Sequence, residues 1–391
     1  MTAATRQLPS DAAKQSLGRG LAGRALLDIE QARTGQGSWA RAHEQITKMT
    51  GVPVAAHVKS SLFEGAPAIA YVLATAEQPT YERALTTLDH HIDALTRERL
   101  RRAHRRIDRG LLPELREFDL ISGLTGLGVY QLRRRGGGEV LDAVLAYLVR
   151  LCEPLSLNRQ ILPGWWTAND TADHPSEYWP GGHGNLGVAH GISGPLAFMA
   201  LAVRHGRQVS GQIDAIQAIC SWLDHWQQAA GEGAWWPGTI TRHEVESDAL
   251  QQPGPQRPSW CYGTPGIARA QQLAGLALND RTRQHLAEAA LLSCIADDTQ
   301  LAQLGDTTLC HGWAGLIQAT IRAAADAGPQ SPLSAELPEL GRRLDEFAQS
   351  QGSQQHANLL EGSTGVDLVR MAATSTAESI FTWDACLLLS G

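Results

Sequence analysis

At 391 residues and 43% hydrophobic content, the chain is long enough to bury a large core. A formal charge of −7 and an isoelectric point near 6.1 exclude an extended phosphate-binding face, so no nucleic-acid partner is expected. No apolar run reaches the ~18 residues of a membrane span and the N-terminus is polar, so a cytoplasmic location is expected.

Residues 1–35 are read as a less ordered N-terminal extension, and 1–391 as one domain. An amphipathic helix is predicted over 38–50. FEGAPAIAYVLA, from Phe63, opens a helix rich in small residues. A second amphipathic helix is predicted over 80–106. Its basic stretch RERLRRAHRRIDR, at 97–109, reads as a solvated helix face or as a docking surface for an acidic or peptide partner. ISGLTGLGVYQL follows from Ile121, and then Leu141, Val144, Leu145, Leu148 and Cys152 fall on one helical face.

The stretch from Leu162 to Asn185 is rich in Pro, Trp and turn formers and reads as a functional loop. It leads into AHGISGPLAFMALA, from Ala189. Ile213, Ile216, Cys220 and Leu223 again share a face. A second long loop, from Trp235, leads into CYGTPGIARAQQLAG at Cys261. An amphipathic stretch at 281–297 precedes CHGWAGLIQATIRAA at Cys310. Leu337, Leu340, Leu344 and Phe347 pattern a helix over 336–350, and LEGSTGVDLVRMAA follows from Leu360.

Six of these segments share one frame, with first glycines Gly65, Gly123, Gly191, Gly263, Gly312 and Gly362. Five hold Gly-x-x-Gly; the first has Ala68 as its fourth residue. Small-residue helices therefore alternate with amphipathic ones, and strand signals are nearly absent. The assembly expected is all-α: an α/α toroid of six inner and six outer helices. The inner helices would aim their glycine-rich N-termini at one end of the ring, with both long loops over it.

Chemistry sits just ahead of some glycines and not others. Cys261, Cys310 and His311 offer two thiolates and an imidazole, a zinc set with its fourth position open, as catalytic zinc requires. Neighbouring ligands such as Cys310 and His311 can converge only at a helix entrance. Cys152, Cys220, Cys294 and Cys386 read as small buried thiols. His190 is a core histidine or, from its place at the mouth, an acid–base group with a pKa near ~6.5. Asp119 caps a helix or orients an imidazole. Arg257 is a loop charge or a cation beside the metal. Tyr262 packs or hydrogen-bonds in the site.

D-x-x-x-G at Asp119, A-H-G-x-x-G at His190, W-C-Y-G at Cys261 and C-H-G at Cys310 occur in that order. In these motifs the chain resembles the lanthipeptide (lantibiotic) cyclases of the LanC type, also called lanthionine synthetase C-like proteins, from about residue 35 onward. The resemblance implies an α/α toroid and one Zn2+ held by Cys261, Cys310 and His311. It implies His190 as the acid–base histidine with Asp119 as its partner, and Arg257 and Tyr262 as flanking site residues. The implied reaction is addition of cysteine thiols to dehydroalanine or dehydrobutyrine of a ribosomally made precursor peptide. The partners it implies are that dehydrated precursor with its leader, a dehydratase and an exporter, with peripheral membrane association through such a complex. Three other readings compete with it: thiol addition of glutathione to dehydrated protein residues, an α/α-toroid glycosidase needing two facing carboxylates, and a non-catalytic module that binds modified peptide.

Overall fold

The computed structural model describes residues 14–157, 159–172, 174–231, 233–351, 356–374 and 382–390. The long helices are α1 Leu21–Arg33, α2 Trp39–Thr50, α3 Ala66–Ala76, α4 Glu82–Asp108, α5 Leu124–Arg135, α6 Glu139–Leu151 and α7 Ser193–Arg204. They continue with α8 Gln212–His225, α9 Thr264–Leu278, α10 Arg281–Ala296, α11 Trp313–Ala327, α12 Pro332–Gln351 and α13 Ser363–Thr374.

Among the described residues the odd-numbered helices close on themselves. Helix α1 packs on α3, α3 on α5, α5 on α7, α7 on α9, α9 on α11, α11 on α13, and α13 back on α1. The even-numbered helices lie outside: α2, α4, α8, α10 and α12 each bridge the inner pair on either side in sequence, while α6 packs on α5 and on its outer neighbours α4 and α8. The inner helices are buried almost all round: every residue of α3 from Ala66 to Leu73 is buried, as is every residue of α9 from Thr264 to Gly275. The outer helices bury one stripe, as in α6, where Val140, Leu141, Val144, Leu145, Tyr147 and Leu148 face inward.

The toroid is as expected, but among the described residues its inner ring has seven helices rather than six. The additional one is α1, within the stretch read as a less ordered extension. Residues 1–13 of that stretch lie outside the described residues, whereas Ala22, Ala25, Leu26 and Ile29 are fully buried. Helix α1 opens on Gly20-Leu21-Ala22-Gly23, a further copy of the frame.

The second glycine of the frame has one cause throughout. A Cβ on Gly23 would collide with the carbonyl oxygen of Leu17, and on Gly126 with that of Leu120. The same holds for Gly194 with Val188, Gly266 with Trp260, Gly315 with Leu309 and Gly365 with Leu359. Each pre-helix turn thus lies directly on the first turn of its own helix. Helix α3 enters differently, through Gly65 at φ 75°, and tolerates Ala68.

Among the described residues, six three-residue strands form two-stranded antiparallel ladders: β1 Leu155–Leu157 with β2 Gln160–Leu162, β3 His183–Asn185 with β6 Thr239–Thr241, and β4 Gln228–Ala230 with β5 Gly233–Trp235. The β3–β6 ladder joins the ends of the two long loops, so both do lie at the same end of the ring. The segment 382–390 fills the bore. Tyr71 of α3 donates to Trp383 O at 3.0 Å, Arg269 of α9 binds Leu389 O, and Arg322 of α11 holds the buried Asp384 carboxylate at 2.6 Å.

Candidate active site

The pre-helix turns are strung together by backbone hydrogen bonds running round the rim. Leu120 N donates to Ala189 O, Val188 N to Cys261 O, Cys261 N to Cys310 O, Cys310 N to Leu360 O, Leu360 N to Gly18 O, and Leu17 N to Phe63 O, at 2.8 to 3.3 Å. This girdle puts the residue two before the first glycine of one repeat beside its counterpart in the next. Cys261 and Cys310 are such counterparts. Their side chains hydrogen-bond each other, and Ser259 Oγ lies 3.6 Å from Cys261 Sγ. The Cys310 hydrogen bond, with help from the Ser259 hydroxyl and the Arg257 and His190 charges, overcomes burial and brings the Cys261 thiol down to about 7. Cys310 is pushed up by the same shared hydrogen bond and by burial. The first proton therefore leaves this pair easily and the second with difficulty.

His190 stands one turn along the girdle. Its Nδ1 is 2.6 Å from Asp119 Oδ2, and Asp119 is buried, with Oδ1 accepting from Ser122 N at 2.7 Å. Burial disfavours the imidazolium, but the Asp119 hydrogen bond and charge, with Cys261 beyond, outweigh it and hold the ring above its ordinary pKa. Asp119 occupies Nδ1, so Nε2 is the nitrogen left to meet a substrate.

Residues 11–388 match the profile of the lanthionine synthetase C-like proteins. The chain belongs to that family. It is 23% identical over 314 residues to the nisin biosynthesis protein NisC of Lactococcus lactis subsp. lactis, which spans 79% of this chain and 72% of that protein. The solved structure of a nisin cyclase superposes with a TM-score of 0.80 at 22% identity, covering 97% of this chain and 93% of that one. The toroid is therefore the fold of a lanthionine synthetase C-like protein.

The other residues expected at the site from the sequence sit on the same rim. Tyr262 Oη accepts from Asn185 Nδ2 at 3.0 Å, which frees its own hydrogen to donate; burial holds the phenol protonated. A Cβ at Gly187 would strike Cys261 O and the Tyr262 ring, so glycine there lets the two turns meet. Arg257 is exposed at the mouth, and its charge acts on both thiols. His311 Nε2 lies 3.3 Å from Asp306 Oδ2. Among the described residues no three His, Cys, Asp or Glu side chains form a ready metal cage: the thiols meet, while His311 is turned toward Asp306.

Sequence reasoning missed Asn185, Asp306 and Arg99. The first two had a signal, an Asx residue six before the first glycine in two repeats. Arg99 shows what the basic 97–109 stretch does. Its guanidinium binds the carbonyls of Ser60, Arg116 and Ser122 and braces the turn that holds Asp119. Arg97, Arg101 and Arg106 pair with Glu139, Glu98 and Glu117. Cys220, Cys294 and Cys386 are buried and Cys152 is half-buried; burial raises all four thiols, as inert positions require.

Proposed function

We propose that this enzyme closes thioether rings in a dehydrated, ribosomally made peptide, using zinc held by Cys261, Cys310 and His311. The observation that carries the proposal is the His190–Asp119 pair standing on the girdle beside the Cys261–Cys310 thiol pair. The donor set fits zinc: two soft thiols, one with its proton already loosened, and an imidazole next in sequence to one of them. Bound there with a fourth position open, zinc would deprotonate an incoming peptide thiol, whose pKa is otherwise near ~8.5.

The substrate sulfur then bonds to the β-carbon of dehydroalanine or dehydrobutyrine in the same peptide. The displaced π electrons move onto the neighbouring amide oxygen as an enolate. The protonated His190 Nε2 delivers a proton to the α-carbon, completing lanthionine or methyllanthionine. Arg257 and the Tyr262 hydroxyl are the donors available to the enolate oxygen. Asp119 keeps His190 in the tautomer and charge state the step needs.

Dehydrated residues have to be made before they are consumed, so a dehydratase acts upstream. Joint work with that enzyme and an exporter would bring the cyclase to a membrane surface, since no helix of the described residues is long and apolar enough to cross one.

The test is a dehydrated peptide with free cysteines, incubated with the enzyme in the presence of glutathione. Remaining thiols are then alkylated and the products weighed. Ring closure gives an unalkylated peptide of unchanged mass. Glutathione adducts would favour the intermolecular reading, and fully alkylated peptide would leave only a binding module.

A further inference from the structure

Asp306 and Asn185 hold equivalent places, each six residues before the first glycine of its repeat. Each side-chain Oδ1 lies under that glycine, where a Cβ on Gly312 or Gly191 would strike it. Each Oδ1 also accepts the backbone N–H two residues on, Thr308 N at 2.8 Å and Gly187 N at 3.1 Å. The second polar atom of each turns to a site residue. Asn185 Nδ2 reaches Tyr262, and Asp306 Oδ2 lies 3.3 Å from His311 Nε2. The repeat thus supplies a built-in bracket, and only a carboxylate at 306 suits a histidine that must keep one nitrogen unprotonated.

We infer that Asp306 is the positioning residue of His311: its carboxylate holds the proton on Nε2, so that the imidazole offers Nδ1 to the metal. This rests on the reading of His311 as a zinc ligand. A carboxylate behind a ligating histidine fixes its tautomer and raises its basicity, and loss of such a partner weakens metal binding by roughly 10–100-fold. Asp306→Asn is the decisive change. Asn keeps an oxygen for Thr308 N but presents an amide N–H to Nε2, which draws the histidine proton to Nδ1 and blocks the ligating nitrogen.

The experiment is zinc titration of the full chain in competition with a chromophoric chelator, paired with the ligand-field spectrum of the Co2+-loaded protein. Metal-free Asp306→Asn is expected to melt like wild type, bind zinc roughly 10–100-fold more weakly, and show altered Co2+ bands. Asp306→Ser is the second variant: its hydroxyl can serve Thr308 N but cannot reach His311, and the same loss is expected. Wild-type affinity and wild-type bands in either folded variant would overturn the inference. A wild-type chain that binds no zinc would overturn the zinc reading itself and this inference with it, an outcome visible before any variant is made.

Discussion

At His190 the competition between burial and a carboxylate decides the charge of the ring. Burial favours the neutral ring, Asp119 favours the charged one, and Asp119 prevails. A general acid is lost as pH rises through its pKa, so a raised pKa extends activity upward. Asp119→Asn removes the charge that raises it. The alkaline limb of the kcat/KM profile is expected to move to lower pH; an unmoved limb would show that Asp119 does not set the protonation of His190. His190→Ala is expected to lose about 10²–10⁴ in ring closure while keeping its zinc, measured by alkylation of residual thiols. Both residues were legible in the sequence because each sits in a glycine frame that other repeats display without chemistry. Asn185 and Asp306 were not, because their work is done by side chains reaching across turns that only the folded ring brings together.

The inner helix is the element that places the site, and its second glycine is what lets the turn lie on the helix. Gly266→Ala would drive a methyl group into Trp260 O, one residue from Cys261. Relief needs a backbone shift costing roughly 1–3 kcal/mol, and it falls on the turn that carries Cys261. A lower melting temperature together with weaker zinc binding is expected. Gly254→Ala, where a Cβ meets open space, is expected to change neither. The frame was readable in six repeats, and the seventh was missed at Gly20-x-x-Gly23. Helix α1 carries Arg24, Asp28, Glu30 and Arg33, a polar pattern that reads as solvated. In the fold Asp28 pairs with Arg41 at 2.7 Å and Arg33 with Glu77 at 2.9 Å, so the charges turn inward between helices. The three-residue strands were equally hidden, being too short to show alternation.

On the scale of the whole molecule, the ring is locked by what fills its bore. Glu30 of α1 is fully buried beside the 382–390 segment, and Oε2 has no hydrogen-bond partner among the described residues. Burial raises its carboxyl from 4.5 to about 7 against the pull of Arg33. A raised folded-state pKa means the stability Glu30 contributes is full below pH 4.5 and is lost as pH climbs through about 7. Glu30→Gln is therefore expected to stabilise the protein at pH 8 by on the order of 1–3 kcal/mol, with the gap to wild type closing toward pH 4.5 in urea titrations; a gap that does not vary with pH would contradict the assignment. The bore, the closing helix and the girdle depend on contacts between residues hundreds of positions apart, which no local pattern records. What they achieve together is to bring Cys261 and Cys310, proposed zinc donors from two separate repeats, side by side. Zinc analysis of the purified chain beside Cys261→Ala, Cys310→Ala and His311→Ala tests that most directly. The account predicts about one zinc per wild-type chain and a marked loss in each folded variant; full zinc in all three variants, or none in wild type, would contradict it.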